Sequence, residues 1–246
     1  MNNTPFLFAL VLLIVLTASG ESRAAQLFIN ELFHNDNFPE TYTKPIPREE
    51  KPMLKPTKDR PKIALTFDDG PDAFITPQIL DILKETQVTA TFFVLGEKVV
   101  RYPEMTQRIF DEGHLLANHS KTHQDMAEMT NEDIVALELE PTSEAVEKVT
   151  GYYPTIMRPP YGSLRTDSNR YLAENGWKVV RWSLDTFDWD STRNAPENLI
   201  KRIEDFHHPN AVVLMHCNGR ETVMALPRII EFLKELEYEF VTVADL

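Results

Sequence analysis

Residues 66–71 read Thr-Phe-Asp-Asp-Gly-Pro, so two carboxylates sit side by side at the end of an apolar run. Adjacent carboxylates repel each other, and a cation or a shared proton relieves the repulsion. Other residues of chemical interest are His119 and His123, four apart in Asn-His-Ser-Lys-Thr-His, and Arg158 and Tyr161 in Arg-Pro-Pro-Tyr-Gly. Asp185, Asp188 and Trp189 fall within Asp-Thr-Phe-Asp-Trp, and His216 ends Leu-Met-His. Asp69, His119 and His123 make a sensible metal set. Two histidines at i and i+4 face the same way on a helical turn, and one carboxylate adds a third ligand. Two neutral imidazoles and one anion leave a divalent cation with net positive charge and an open position. One carboxylate of the pair would then bind the cation while its neighbour stays free to take a proton from water. The plainer reading is that Asp-Asp-Gly-Pro is only a turn and the histidines an unrelated surface pair. A turn, however, does not explain the companion residues elsewhere.

These residues need elements to hold them. From Lys62 onward, short β-branched or aromatic runs alternate with longer amphipathic stretches. Seven strand candidates are Lys-Ile-Ala-Leu-Thr-Phe, Ala-Thr-Phe-Phe-Val-Leu, His-Leu-Leu-Ala-Asn-His, Thr-Ile-Met-Arg-Pro, Lys-Val-Val-Arg-Trp-Ser-Leu, Ala-Val-Val-Leu-Met-His and Glu-Phe-Val-Thr-Val. Helices are expected near 76–86, 97–112, 131–150, 165–175, 196–206 and 221–236, with Asn131 as the cap of the third. The alternation implies an α/β fold with a parallel sheet or a closed barrel. Five of the polar clusters end strands, and in a (β/α) barrel the strand C-termini open on one face. No Gly-x-Gly-x-x-Gly follows the first strand, which weakens a dinucleotide-binding reading. Each site candidate also has a duller explanation: Arg158 as a surface ion pair, Asp185 and Asp188 as helix caps, Trp189 as core. Trp177 and Trp182 are expected in the core, and His114, His207 and His208 are left structural or exposed.

The chain of 246 residues is long enough for one good-sized α/β domain. Its formal charge of −13 argues against nucleic-acid binding, which needs a basic face. Residues 5–18 form an apolar run too short to span a bilayer comfortably, followed by small residues. Residues 1–25 therefore read as a signal peptide, with an uncleaved anchor as the alternative, and the protein as secreted or in the cell envelope. Residues 26–60 carry five prolines among charged residues and read as a spacer, leaving 61–246 as the domain. Cys217 is the only cysteine, so an internal disulfide is excluded. Nothing in the sequence asks for a protein partner, and a monomer is the default.

The five motifs, in order, resemble those of the polysaccharide deacetylase (NodB-homology) family, carbohydrate esterase family 4. The resemblance covers residues 62–246 and implies a distorted (β/α)7 barrel. It implies Asp68 as catalytic base, paired with Arg158, and Asp69, His119 and His123 as ligands of a divalent metal. That metal is usually zinc, with Co2+, Ni2+ or Mn2+ as alternatives. His216 would be the general acid, oriented and tuned by Asp188. Leu214 and Trp189 would line the acetyl pocket, and the Tyr161 N–H would help to stabilise the oxyanion. The C-terminal stretch is similar to peptidoglycan-directed members, which points to N-acetylglucosamine of a cell-wall glycan as substrate. Chitin oligomers, an exopolysaccharide or acetyl-xylan are alternatives, and a non-catalytic glycan-binding relative is a reading of a different class. One departure is Cys217, where the family often has Asp. It is either a neutral replacement beside the site or an added thiolate ligand.

Overall fold

The structure, a computed structural model, describes residues 60–246. The expected signal peptide, and the spacer up to residue 59, lie outside the described residues.

The strand β1 (Lys62–Gly70) is buried along almost its whole length, as a central strand covered on both faces should be. Parallel to it run β2 (Thr91–Val94), β3 (Leu115–Asn118), β4 (Ile156–Met157) and β5 (Lys178–Val179) on one side. On the other side lie β7 (Ala211–His216) and then β6 (Leu184–Asp185). The short β8 (Glu239–Phe240) pairs with the first two residues of β1. The order is β5-β4-β3-β2-β1-β7-β6.

The seven expected strands thus appear as eight, because the fifth divides. Val180 still donates to the Met157 carbonyl beside β4, and three residues later Ser183 donates to Val212 on β7. Residues 180–183 therefore cross between the two sheet edges, and this crossing is what distorts the barrel. The Arg158 side chain reaches into the gap, donating to the carbonyls of Val180 (3.4 Å) and Arg181 (3.3 Å).

The expected helices form as α1 (Ile75–Thr86), α2 (Gly96–Arg101), α3 (Pro103–Asp111), α4 (Glu140–Thr150), α5 (Thr166–Glu174), α6 (Pro196–Phe206) and α7 (Arg220–Glu235). The single helix expected over 97–112 is two, since Pro103 has no N–H and starts a new helix. Ahead of α4 lie one turn, Asn131–Asp133, and a π-helical stretch, Ile134–Leu139. The cap of that turn is Thr130, whose hydroxyl accepts from the Asp133 N–H. Asn131, the cap expected from the sequence, instead has its side chain accepting from Arg165.

Strand alternation sorts the interior. Ile63, Leu65 and Phe67 join Phe92, Leu116, Val213 and Met215 in the main core, with Ile79, Leu83, Ile203 and Ile230 of the helices. On the opposite face, Ala64 packs with Phe93, Ala117 and Val243. Small side chains there leave room for the next two residues of that row of β1, Thr66 and then Asp68.

Candidate active site

Asp68 continues the inner row of β1, but a regular strand would send Asp69 to the other face. The chain solves this with a bulge. Register against β2 shifts between Asp68 and Gly70, and Asp69 takes a left-handed conformation, φ 67°. A bulge of this kind re-aims one side chain, so both carboxylates reach the barrel mouth. The three carbonyls of this stretch are tied to three elements. That of Asp68 accepts from Cys217 N–H (2.8 Å), that of Asp69 from Lys98 Nζ (2.7 Å), and that of Gly70 from Leu95 N–H (2.9 Å).

His119 and His123 come after β3, though not on the helical turn their spacing suggested. Ser120 (φ 75°) and His123 (φ 65°) are left-handed, which excludes a helix and curls the loop so that both rings face Asp69. His119 Nε2 lies 3.5 Å and His123 Nε2 3.2 Å from Asp69 Oδ1. All three ligand atoms fall within 4.8 Å of one another. Their outer atoms are occupied: His119 Nδ1 meets the Arg158 carbonyl at 2.8 Å, and His123 Nδ1 meets Tyr161 Oη at 3.2 Å. The Arg158 carbonyl can only accept, so His119 Nδ1 donates and its Nε2 keeps a lone pair. The Tyr161 hydroxyl is able to accept from His123 Nδ1 in the same tautomer.

Asp69 Oδ1 is buried and has no hydrogen-bond partner, although both imidazoles lie near it. A carboxylate oxygen and two imidazole nitrogens aimed at one point, without bonding each other, fit a cation. Burial pushes the Asp69 carboxyl up, but the two imidazoles outweigh it and hold the group well below the usual range.

The Arg158 guanidinium, 0% exposed, donates to Asp68 Oδ1 at 2.7 Å and to Thr66 Oγ1 at 2.8 Å. It lies 4.0 Å above the Phe93 ring. The surface ion-pair reading of Arg158 is thereby removed. Burial pulls its pKa down, and the Asp68 carboxylate opposes that pull.

Across the mouth, His216 ends β7 on the same inner face as Leu214. Asp188 accepts from the His216 backbone N–H and meets His216 Nδ1, both at 2.7 Å, and accepts from Thr222 Oγ1 at 2.6 Å. Burial lowers the imidazole pKa, but Asp188, with Asp68 and Asp69 behind it, pushes it up to about 9.

Asp68, Asp69, His119, His123 and His216 line one cavity of about 350 Å³ together with Pro159, Tyr161, Trp182, Asp185, Trp189, Leu214 and Asn218. The ten residues expected at the site are all brought to it: eight line the cavity, Asp188 pairs with His216, and Arg158 pairs with Asp68. The match of residues 55–180, just over half the chain, to the polysaccharide deacetylase family model agrees with this geometry. The chain belongs to that family.

Among individual proteins, the chain is similar to a peptidoglycan-N-acetylglucosamine deacetylase of Bacillus cereus. The two are 36% identical over 192 residues, covering 76% of this chain and 69% of the relative. It is 40% identical over 196 residues to the peptidoglycan-N-acetylglucosamine deacetylase PgdA of Listeria monocytogenes, covering 79% of this chain but only 41% of that longer protein. The crystal structure of the Bc1960 peptidoglycan N-acetylglucosamine deacetylase, bound to a naphthalenyl benzamide, superposes with a TM-score of 0.71. Its identity is 35%, covering 75% of this chain and 86% of that one.

Within this deacetylase fold, Cys217 points away from the ligand cluster into the main core, against Gly70. Burial pushes its thiol pKa far up. The thiolate-ligand reading is therefore dropped, because the inward position of β7 belongs to His216. Trp182, expected in the core, is half-buried: it packs against Gly162 and also lines the cavity. The irregular crossing at 180–183 takes it out of the regular strand that the core reading assumed.

Several supporting residues were not visible in the sequence. Glu138, on the π-helical stretch, accepts from the N–H groups of Lys121 and Thr122 and from Thr122 Oγ1, and so holds the histidine loop. Asp185, which the sequence did single out as a strand-ending acid, accepts from Trp189 Nε1 at 3.3 Å. Thr222, Lys98 and Asn218 complete the set. Of these, only Asn218, two residues past His216, carried a positional signal.

Proposed function

We propose that the protein is a metal-dependent deacetylase that removes N-acetyl groups from N-acetylglucosamine residues of peptidoglycan. The observation that carries this is the convergence of Asp69 Oδ1, His119 Nε2 and His123 Nε2 on one point, with Asp68 Oδ2 only 3.7 Å from His119 Nε2. The relatives supply the substrate class. Two imidazoles and one carboxylate match zinc with a position left open, so Zn2+ is the proposed ion. When bound, it supplies Lewis acidity that polarises the acetyl carbonyl and makes nearby water more acidic.

Asp68 is the proposed base. Its Oδ1 is held by Arg158, which leaves Oδ2 to take a proton from the attacking water. Tyr161 sits at φ 59° in a turn closed by the N–H groups of Gly162 and Ser163. Its own N–H is thus left for the oxyanion. An amide nitrogen leaves poorly unless protonated. His216, with Nδ1 held by Asp188, gives that proton from Nε2. Water and amide become acetic acid and amine, with one water proton taken by Asp68 and one proton supplied to the nitrogen by His216. The acid and amine then ionise to acetate and ammonium. Leu214 and Trp189 enclose the acetyl methyl group. A non-catalytic relative would have lost the base, a ligand or the acid, and here each is present and oriented. A cell-wall substrate also agrees with the proposal that residues 1–25 act as an export signal.

Acetate release from peptidoglycan and from N-acetylglucosamine oligomers tests the reading, with and without chelator and alongside metal content. Release that chelator abolishes and zinc restores, greater on peptidoglycan, is the expected result. Undiminished release from fully demetallated protein would sink it.

A further inference from the structure

Asp69 is held at both ends by residues outside the five family motifs. Its backbone is left-handed, a region that a non-glycine residue occupies at some energetic cost. Something must stabilise it there. Lys98 Nζ, half-buried on α2, donates to the Asp69 carbonyl at 2.7 Å. At the side-chain end, Asn218 Nδ2 donates to Asp69 Oδ2 at 3.1 Å, which leaves Oδ1 as the oxygen without a hydrogen-bond partner.

The start of α2 is itself a bracket between the two ligand-bearing loops. Leu95 N–H binds the Gly70 carbonyl, Gly96 N–H that of Ser120, and Glu97 N–H that of Lys121. Close approach requires glycine at 96, where a Cβ would come within 2.5 Å of Thr142 Oγ1 and 3.2 Å of Lys121 Cα. Lys98, inside the first turn of α2, extends this bracket to Asp69.

We propose that Lys98 and Asn218 are positioning residues that clamp Asp69 in the bulge and so set the affinity of the Asp69, His119 and His123 site for its metal. The clamp rests on the proposed metal-dependent function.

Electrostatics and positioning predict opposite signs for Lys98. Removing a cation beside a cation site should tighten metal binding by Coulomb's law. Releasing the bulge should weaken it. Partners of ligating groups typically change metal affinity by about 10- to 100-fold. Zinc affinity would be measured by competition with a chromophoric chelator for wild type, Lys98→Met, Lys98→Arg and Asn218→Leu. Melting temperatures would be recorded with and without zinc. The clamp predicts zinc affinity about 10- to 100-fold weaker in Lys98→Met and also weakened in Asn218→Leu, with much of it recovered in Lys98→Arg. The melting temperature without zinc should change little, while the increment on adding zinc shrinks. Asn218 is exposed, so its variant tests the clamp even if Lys98→Met fails to fold. Zinc affinity equal to wild type in both variants, or tighter binding by Lys98→Met, overturns the clamp. Wild-type protein that binds no zinc would overturn the metal reading itself.

Discussion

The two halves of the pocket are built on different principles. The acid half stands on regular structure. His216 is the last residue of β7, on its inward row, and its ring is set by one carboxylate that also binds its backbone N–H and Thr222. The metal half stands on irregular structure. Asp69, Ser120 and His123 are all left-handed, and with Tyr161 beside His123 they make four of the eight non-glycine residues at positive φ among the described residues, against one, Phe187 beside Asp188, in the acid half. A strand delivers one side chain to a face at every second residue, which suffices for a lone acid. Two adjacent carboxylates that must share a face need a bulge, and the bulge needs external support. Strain of order 1–3 kcal/mol per residue is then held in place by neighbours such as Lys98 and Glu138.

The largest expected break in this comparison is at Asp68, where the two halves meet. Asp68→Asn should keep zinc, since Asp69, His119 and His123 are untouched, but lose about 10²- to 10⁴-fold in turnover. It also leaves the buried Arg158 charge without its counterion, and breaking such a pair typically destabilises by about 3–5 kcal/mol. Metal content and melting must therefore accompany the kinetics. Near-normal turnover in a folded, zinc-loaded variant would show that another group removes the proton.

His216→Asn sharpens the contrast from the other side. Zinc affinity should be unchanged, and amide hydrolysis should fall by about 10²- to 10⁴-fold. An aryl acetate ester, whose leaving group needs no proton, should suffer much less. Equal losses on amide and ester would place His216 outside the leaving-group step.

The same contrast explains what the sequence made legible. Strand ends and their polar residues were readable because apolar runs of period two mark buried strands, and the polar residue that ends such a run stands out. Asp68, Leu214 and His216 come directly from alternation. That Asp69 would join Asp68 on one face was not contained in the strand pattern, and helical spacing gave the wrong conformation for His119 and His123. Backbone in the left-handed region has no dependable signature in residues such as Asp, Ser and His. The split of the fifth strand was hidden for a similar reason: Lys-Val-Val-Arg-Trp-Ser-Leu is uniformly β-favouring, and only the geometry of closure decides where pairing stops. Glu138 was hidden because an acid on an amphipathic helix ordinarily faces water. Here the π-helical stretch carries it, buried, against the histidine loop.

The smallest of these effects should be a shift along the pH axis. His216 must be protonated to donate, and its pKa is pushed up to about 9 chiefly by Asp188, against the opposing effect of burial. Turnover should hold on the acid side of this value and fall as pH rises through it. A bound dication offsets the part contributed by Asp68 and Asp69, so the limb of the zinc-loaded protein lies somewhat below about 9. Asp188→Asn removes the principal raising cause and leaves burial opposed only by the charges of Asp68 and Asp69. Its alkaline limb should therefore move to lower pH, by about 1–3 units for loss of an adjacent opposite charge. The shift should appear in the pH profile of kcat with zinc affinity unchanged, because Asp188 touches none of the three ligands. An alkaline limb that stays in place in Asp188→Asn would mean that a group other than His216 titrates there. The acid half would then have to be rebuilt around that group, while the metal half stands.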